Sequence, residues 1–202
     1  NPKFTAFARD LARVVCESDP SDVEALKGCA MGKATVADAL TEMIHVIGEN
    51  MKIVRFQRVS VENGALSSYV HLGGKLADIV MFSFSNAATA ERDEFKTFAH
   101  DVAMQVAASA PVAAKREDVP AQTIEREKAI YLAQATDSGR PEAIWETIAN
   151  GKLEKFYKQI VLTEQVFIKD SSLTIFELAK RTSDACDDTI GIEGFVRFSF
   201  GE

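Results

Sequence analysis

The sequence predicts an α+β protein of two duplicated subdomains, residues 1–90 and 91–202, each a three-stranded antiparallel sheet packed on helices. A helical coiled-coil hairpin is inserted in the second at about 121–158. Three observations predict this: a repeated helical motif, a change in the spacing of the repeat, and apolar alternation bounded by glycine turns.

The first element is a helix. Phe4, Phe7, Leu11 and Val14 recur at helical spacing, and Pro20 ends the run. The pattern Phe4-x-x-Phe7-Ala8-x-Asp10-x-Ala12-x-x-Val15-x-x-Ser18-x-Pro20 returns as Phe95-x-x-Phe98-Ala99-x-Asp101-x-Ala103-x-x-Val106-x-x-Ser109-x-Pro111, at a constant offset of 91 residues. A second helix of the same kind therefore carries Phe95, Phe98, Val102 and Val106 and stops near Pro111. These periodic phenylalanines are read as packing positions.

Strands follow in each copy. Val54-Arg55-Phe56, Ser67 to His71 and Leu76 to Phe84 read as three strands, with Asn63-Gly64 and Gly73-Gly74 between them. The second copy offers Gln159 to Leu162, Gln165 to Ile168 and Gly194 to Phe200. In the last of these, Val196, Phe198 and Phe200 share one face, read as the buried one. Val54-Arg55-Phe56 and Val196-Arg197-Phe198 match at an offset of 142, so the second copy carries 51 residues more than the first. That excess lies near Ala121 to Lys158, where Ile124, Tyr131 and Ala135 form one stripe, Asp137 to Pro141 break the chain, and Ile144 and Ile148 face inward. A two-helix hairpin has one seam to bury, so its outer faces are free to touch a partner.

Composition narrows the function. Hydrophobic residues at 47% exclude a disordered chain, and a net charge of −7 opposes non-specific capture of nucleic acid. Unbroken apolar stretches such as Ile79 to Phe82 are far short of the roughly 20 residues a bilayer span needs. Cys16, Cys29 and Cys186 show no paired spacing, which suits a reducing compartment, and Cys16 reads as a small buried hydrophobe. The first residues lack both Met and a signal-like pattern, so the chain is expected to begin inside a longer protein or after trimming.

No covalent chemistry is evident. Gly73-Gly74 precedes a strand and not a helix, so it cradles no phosphate. His45, His71 and His100 lack metal-ligand spacing, and adjacent His100 and Asp101 point in different directions on a helix. The residues alone leave open a scaffold protein working through its coiled coil, and a small hydrolase with a site between the halves. A buried His–Cys or His–Asp contact would favour the hydrolase.

Four motifs occur in order: Ile47-Gly48-Glu49-Asn50, Ser68-Tyr69-Val70-His71, Asp101 to Ala108 with the sequence DVAMQVAA, and Gly151 to Tyr157 with the sequence GKLEKFY. Together they resemble the motifs of bacterial translation elongation factor Ts over nearly the whole chain. The resemblance implies a guanine-nucleotide exchange factor for the GTPase elongation factor Tu, cytoplasmic, and neither an enzyme of covalent steps nor dependent on a cofactor or metal. It implies partner contacts at Ile47, Gly48, Glu49 and Asn50, on a loop approaching the helix behind the GTPase's phosphate loop. It implies others at Ser68, Tyr69 and His71, with no direct nucleic-acid or membrane partner, and leaves open a homodimer or a heterotetramer with the GTPase. Leu72 stands where the family usually has Gly, and Val166 where it has Pro. The family's Thr-Asp-Phe-Val segment would fall just before Asn1, so binding is expected here with reduced exchange.

Overall fold

The computed structural model describes residues 1–201 of the 202. They form an α+β protein of seven α-helices and small antiparallel sheets, divided into two compact units, Asn1–Val59 and Ser60–Glu202. The division replaces the boundary expected near residue 90, because the strands that follow residue 60 complete their sheet with the end of the chain.

In the first unit, α1 (Pro2–Ser18) starts where the Asn1 side chain accepts from the Lys3 N–H at 2.9 Å. It stops where Asp19 turns left-handed at φ 44° and donates its N–H to the Val15 carbonyl. The short α2 (Val23–Gly28) is capped by Asp22. A two-residue ribbon, β1 (Ala30–Met31) with β2 (Ala34–Thr35), leads into α3 (Val36–Ile47). Val14, Val15, Leu26 and Val36 form the core, with Leu11, Met31, Ile53 and Phe56 packed on it. Phe7 is buried as expected, whereas Phe4 remains 47% exposed. Cys16 corrects the sequence reading: it is exposed on α1 and not a core residue. Val54-Arg55-Phe56 also departs from expectation, for it forms no strand; Phe56 packs on the core while Val54 is exposed.

The second unit opens with the hairpin of β3 (Gly64–His71) and β4 (Leu76–Ser83), in register from Gly64 opposite Ser83 to His71 opposite Leu76. Next comes α4 (Asp93–Ser109), whose buried Phe95, Phe98, Val102 and Val106 meet Val80 and Phe82 of the sheet. Each such side chain, fully buried, contributes about 2 kcal/mol. Like α1, α4 ends on a left-handed residue, Ala110 at φ 45°, donating to Val106. The sequence repeat thus appears as two 17-residue helices with the same stop, 91 residues apart.

The inserted segment is a helical hairpin, α5 (Ala121–Thr136) and α6 (Trp145–Ile160). Tyr131 meets Phe156 edge-on, and the Lys152 ammonium donates to Gln134. The expected stripe is present, with Ala135 buried and Ile124 and Tyr131 half-buried, although Ile144 stays largely exposed. At the hairpin base, Ala113 bridges Val161, and both pack with Val119, Ile124 and Tyr157.

Beyond it lie the ribbon β5 (Val166–Phe167) with β6 (Asp170–Thr174), then α7 (Ile175–Cys186) and β7 (Gly191–Ser199). Helices α3 and α7 are both twelve residues long, and each follows a short ribbon and a threonine capping box, Thr35 with Asp38 and Thr174 with Glu177. No helix among the described residues is long and apolar enough to cross a membrane.

The strand pairing corrects the expected pair of three-stranded sheets. Among the described residues one three-stranded sheet forms, in the order β3-β4-β7, so the last strand closes the hairpin of the other sequence half. Gln159 and Ile160 finish α6 in place of starting a strand, and Gln165 to Ile168 is strand only at Val166–Phe167, in a separate ribbon. A bulge between Met81 and Phe82 sets the faces of β7. Ile192 is buried and Phe195 packs on the core, whereas Val196 and Phe198 are half-buried on the other side and Phe200 is 86% exposed. Alternation announces a strand, but only the edge it finds decides which face is covered.

Candidate partner-binding surface

The loop after α3 is built by its two ends. Thr35 accepts from the Asp38 N–H at 3.1 Å while Asp38 accepts from the Thr35 N–H at 3.2 Å, which fixes the start of the helix. Hydrogen bonds from Thr35 hold the Asp38 carboxyl below its usual pKa. At the far end Gly48 adopts φ 80° and donates to the Ile44 carbonyl at 2.8 Å. A β-carbon at Gly48 would meet nothing within 4 Å, so the glycine is required by the backbone angle and not by crowding. Ile47 is half-buried, and Gly48, Glu49 and Asn50 are exposed. The residue thus ends a helix and presents the two polar residues behind it to solvent.

The second set lies on β3, in the other compact unit. Tyr69 and His71, two residues apart, share the side of the sheet that faces α4, while Ser68 lies on the opposite side. Their rings stack at 5.8 Å with 19° between planes, and the Tyr69 hydroxyl lies 3.3 Å from His71 Nδ1. The His100 ring of α4 meets Tyr69 edge-on at 5.7 Å. Tyr69 also packs against the core, and so the exposed His71 rests on an anchored aromatic. His100 carries no hydrolase-like pair, since Asp101 turns instead to the Lys169 ammonium at 2.7 Å.

The turn after His71 runs through three left-handed residues, Leu72 at φ 50°, Gly73 at 66° and Gly74 at 93°. Leu72 pays the strain that a β-carbon brings in that region, and its side chain is 68% exposed.

Sequence reasoning missed the cluster that fixes the root of the hairpin. The Arg116 guanidinium donates to Glu154 at 2.9 and 2.6 Å and also to Glu164, and it lies 4.3 Å from the centre of the Tyr157 ring. The hydrogen bonds raise the pKa of Arg116 and lower that of Glu154. Beside it an open groove of about 900 Å³ runs past Phe176, Ala179, Ile190 and Ile192, with Lys158 and Lys180 on its rim. Partners 38 and 48 residues away from Arg116 leave no local signal. Among the described residues no group of three or more His, Cys, Asp or Glu side chains is placed to hold a metal.

With this geometry in view, the comparisons are consistent with one another. The sequence profile of the family described as Elongation factor TS matches residues 1–202. The chain belongs to the elongation factor Ts family. It is 38% identical over 205 residues to the Elongation factor Ts of Trichlorobacter lovleyi, with 100% of the chain aligned to 66% of that protein. It is 37% identical to that of Chloroherpeton thalassium, 98% of the chain aligning to 68% of the relative. The Clostridium botulinum protein is 36% identical, with 100% of the chain and 66% of the relative aligned. The chain therefore spans about two thirds of the length of these relatives. The names of these relatives are those of translation elongation factors.

Proposed function

We propose that the chain binds elongation factor Tu in the bacterial cytoplasm and promotes release of its GDP, without covalent chemistry. Membership of the elongation factor Ts family over the whole chain carries this reading. It is supported by two exposed surfaces that are already shaped: the Gly48–Asn50 turn behind a capped helix, and His71 resting on the anchored Tyr69.

The physics is linkage. A protein that binds the nucleotide-free GTPase more tightly than the GDP form lowers GDP affinity by that same ratio, and coupling energies of about 1–3 kcal/mol are typical. Preformed contacts help because little side-chain entropy is lost when they dock. The helical hairpin adds a third surface, tied at its root by Arg116 to Glu154 and Glu164.

The test is calorimetric titration of this chain into elongation factor Tu, nucleotide-free and GDP-loaded, beside a fluorescent-GDP release assay. Tighter binding to the nucleotide-free form is expected, with GDP affinity lowered in the matching ratio and GDP released faster. Equal affinity for both forms would sink the proposal, since such a ligand shifts no equilibrium.

A further inference from the structure

The central strand β4 buries an acid. Asp78 is 2% exposed, and neither carboxylate oxygen has a hydrogen-bond partner. It stands directly opposite Tyr69 on β3 and Arg197 on β7, so the three form one cross-strand row on the side of the sheet facing α4. An ionised carboxylate that is buried and not hydrogen-bonded is costly, and the cost falls if it takes a proton or draws in a cation.

The groups around it can be named. From β3 come Tyr69 and, one step along the same face, His71; from β7 comes Arg197. From α4 the titratable ring on this side is His100, which touches Tyr69, while Asp101 is engaged by Lys169. The other α4 residues that meet the sheet, Phe95, Phe98 and Val102 among them, are uncharged.

We propose that Asp78 is a proton-operated switch in the sheet, whose ionisation draws on Arg197 and shifts the Tyr69–His71 pair. In the protonated state the neutral carboxyl is tolerated where it lies. Once ionised it needs a counter-charge, and Arg197 is the cation in its row. Tyr69 completes that row, and its hydroxyl holds His71 through a contact of 3.3 Å, long enough to yield. Burial pushes the Asp78 carboxyl up to about 7 from its ordinary 3.8, the Arg197 charge opposing only in part. The folded state therefore holds the proton more tightly than the unfolded chain. The stabilisation is complete below about pH 4 and is lost as pH rises through 7. The switch belongs to the chain alone and does not rest on the function proposed above.

The experiment uses the free chain, so a failure to bind any GTPase leaves its outcome untouched. A carbon-detected NMR titration of the Asp78 carboxyl should show a midpoint near neutrality, and a midpoint below about 5 would overturn the proposal. Across about pH 5 to 6.5 the folding equilibrium constant should fall by up to about tenfold per pH unit more steeply than in Asp78→Asn, which retains all three histidines. Parallel profiles would overturn it. The His71 ring signals should show an inflection at the Asp78 midpoint that Asp78→Asn abolishes, and identical His71 curves would refute the coupling. Should that variant not fold, Arg197→Gln serves: loss of the opposing cation should raise the Asp78 midpoint, and an unmoved midpoint would remove Arg197 from the switch.

Discussion

Gly48 separates two roles that one position can hold, ending a helix and meeting a partner. Replacing it with Ala keeps φ near 80° only at the cost of a β-carbon in left-handed backbone, about 1–2 kcal/mol. No packing change accompanies this, because the new atom meets nothing within 4 Å. Ala also restricts the unfolded chain, which returns about 0.4–1 kcal/mol, so the net loss is about 1 kcal/mol. Asn tolerates the left-handed region better and should cost only a few tenths. The assay is amide hydrogen exchange at residue 48, whose N–H donates to Ile44. A loss of about 1 kcal/mol should speed exchange about fivefold in Gly48→Ala and much less in Gly48→Asn. Unchanged exchange in the Ala variant would refute the backbone argument. If the turn also meets the GTPase, Gly48→Asn should weaken binding while leaving the helix nearly intact. Binding that tracks stability in both variants would reduce Gly48 to a helix stop.

Two further outcomes follow from β3 and its turn. His71→Ala should weaken binding of elongation factor Tu by about 1 kcal/mol or more while changing thermal stability by about 0.5 kcal/mol or less, because His71 is exposed; unfolding of the variant with normal binding per folded molecule would make it a core residue. Leu72→Gly should raise stability by up to about 1 kcal/mol, since relief of left-handed strain exceeds the added freedom of the unfolded glycine; a lower melting temperature would show that the exposed leucine is held by contacts worth more than the strain.

Much of the candidate site was legible locally. Period-two alternation places Tyr69 and His71 on one face, and Gly48 after an apolar helical run marks a helix end. His100 was not legible as their neighbour, because the contact exists only once α4 lies on the sheet. Nor was the Arg116 cluster, whose carboxylates come from α6 and from the segment after it. Asp78 stands in a strand that is otherwise apolar from Leu76 to Phe82, which does not say which face is covered; the packing of α4 on its face, with β7 alongside, makes it an interior charge.

The same division runs through the fold. The sequence by itself determined the two 17-residue helices and their stops and the helical hairpin with its break, since helical hydrogen bonds and apolar stripes join residues three to four apart. The tertiary structure decided which strands pair. Val54-Arg55-Phe56 and Val196-Arg197-Phe198 have the same residues, yet only the second became a strand, on the free edge of β4. A strand's hydrogen bonds are made to another part of the chain, more than 100 residues distant here, and neither its own residues nor their order name that partner.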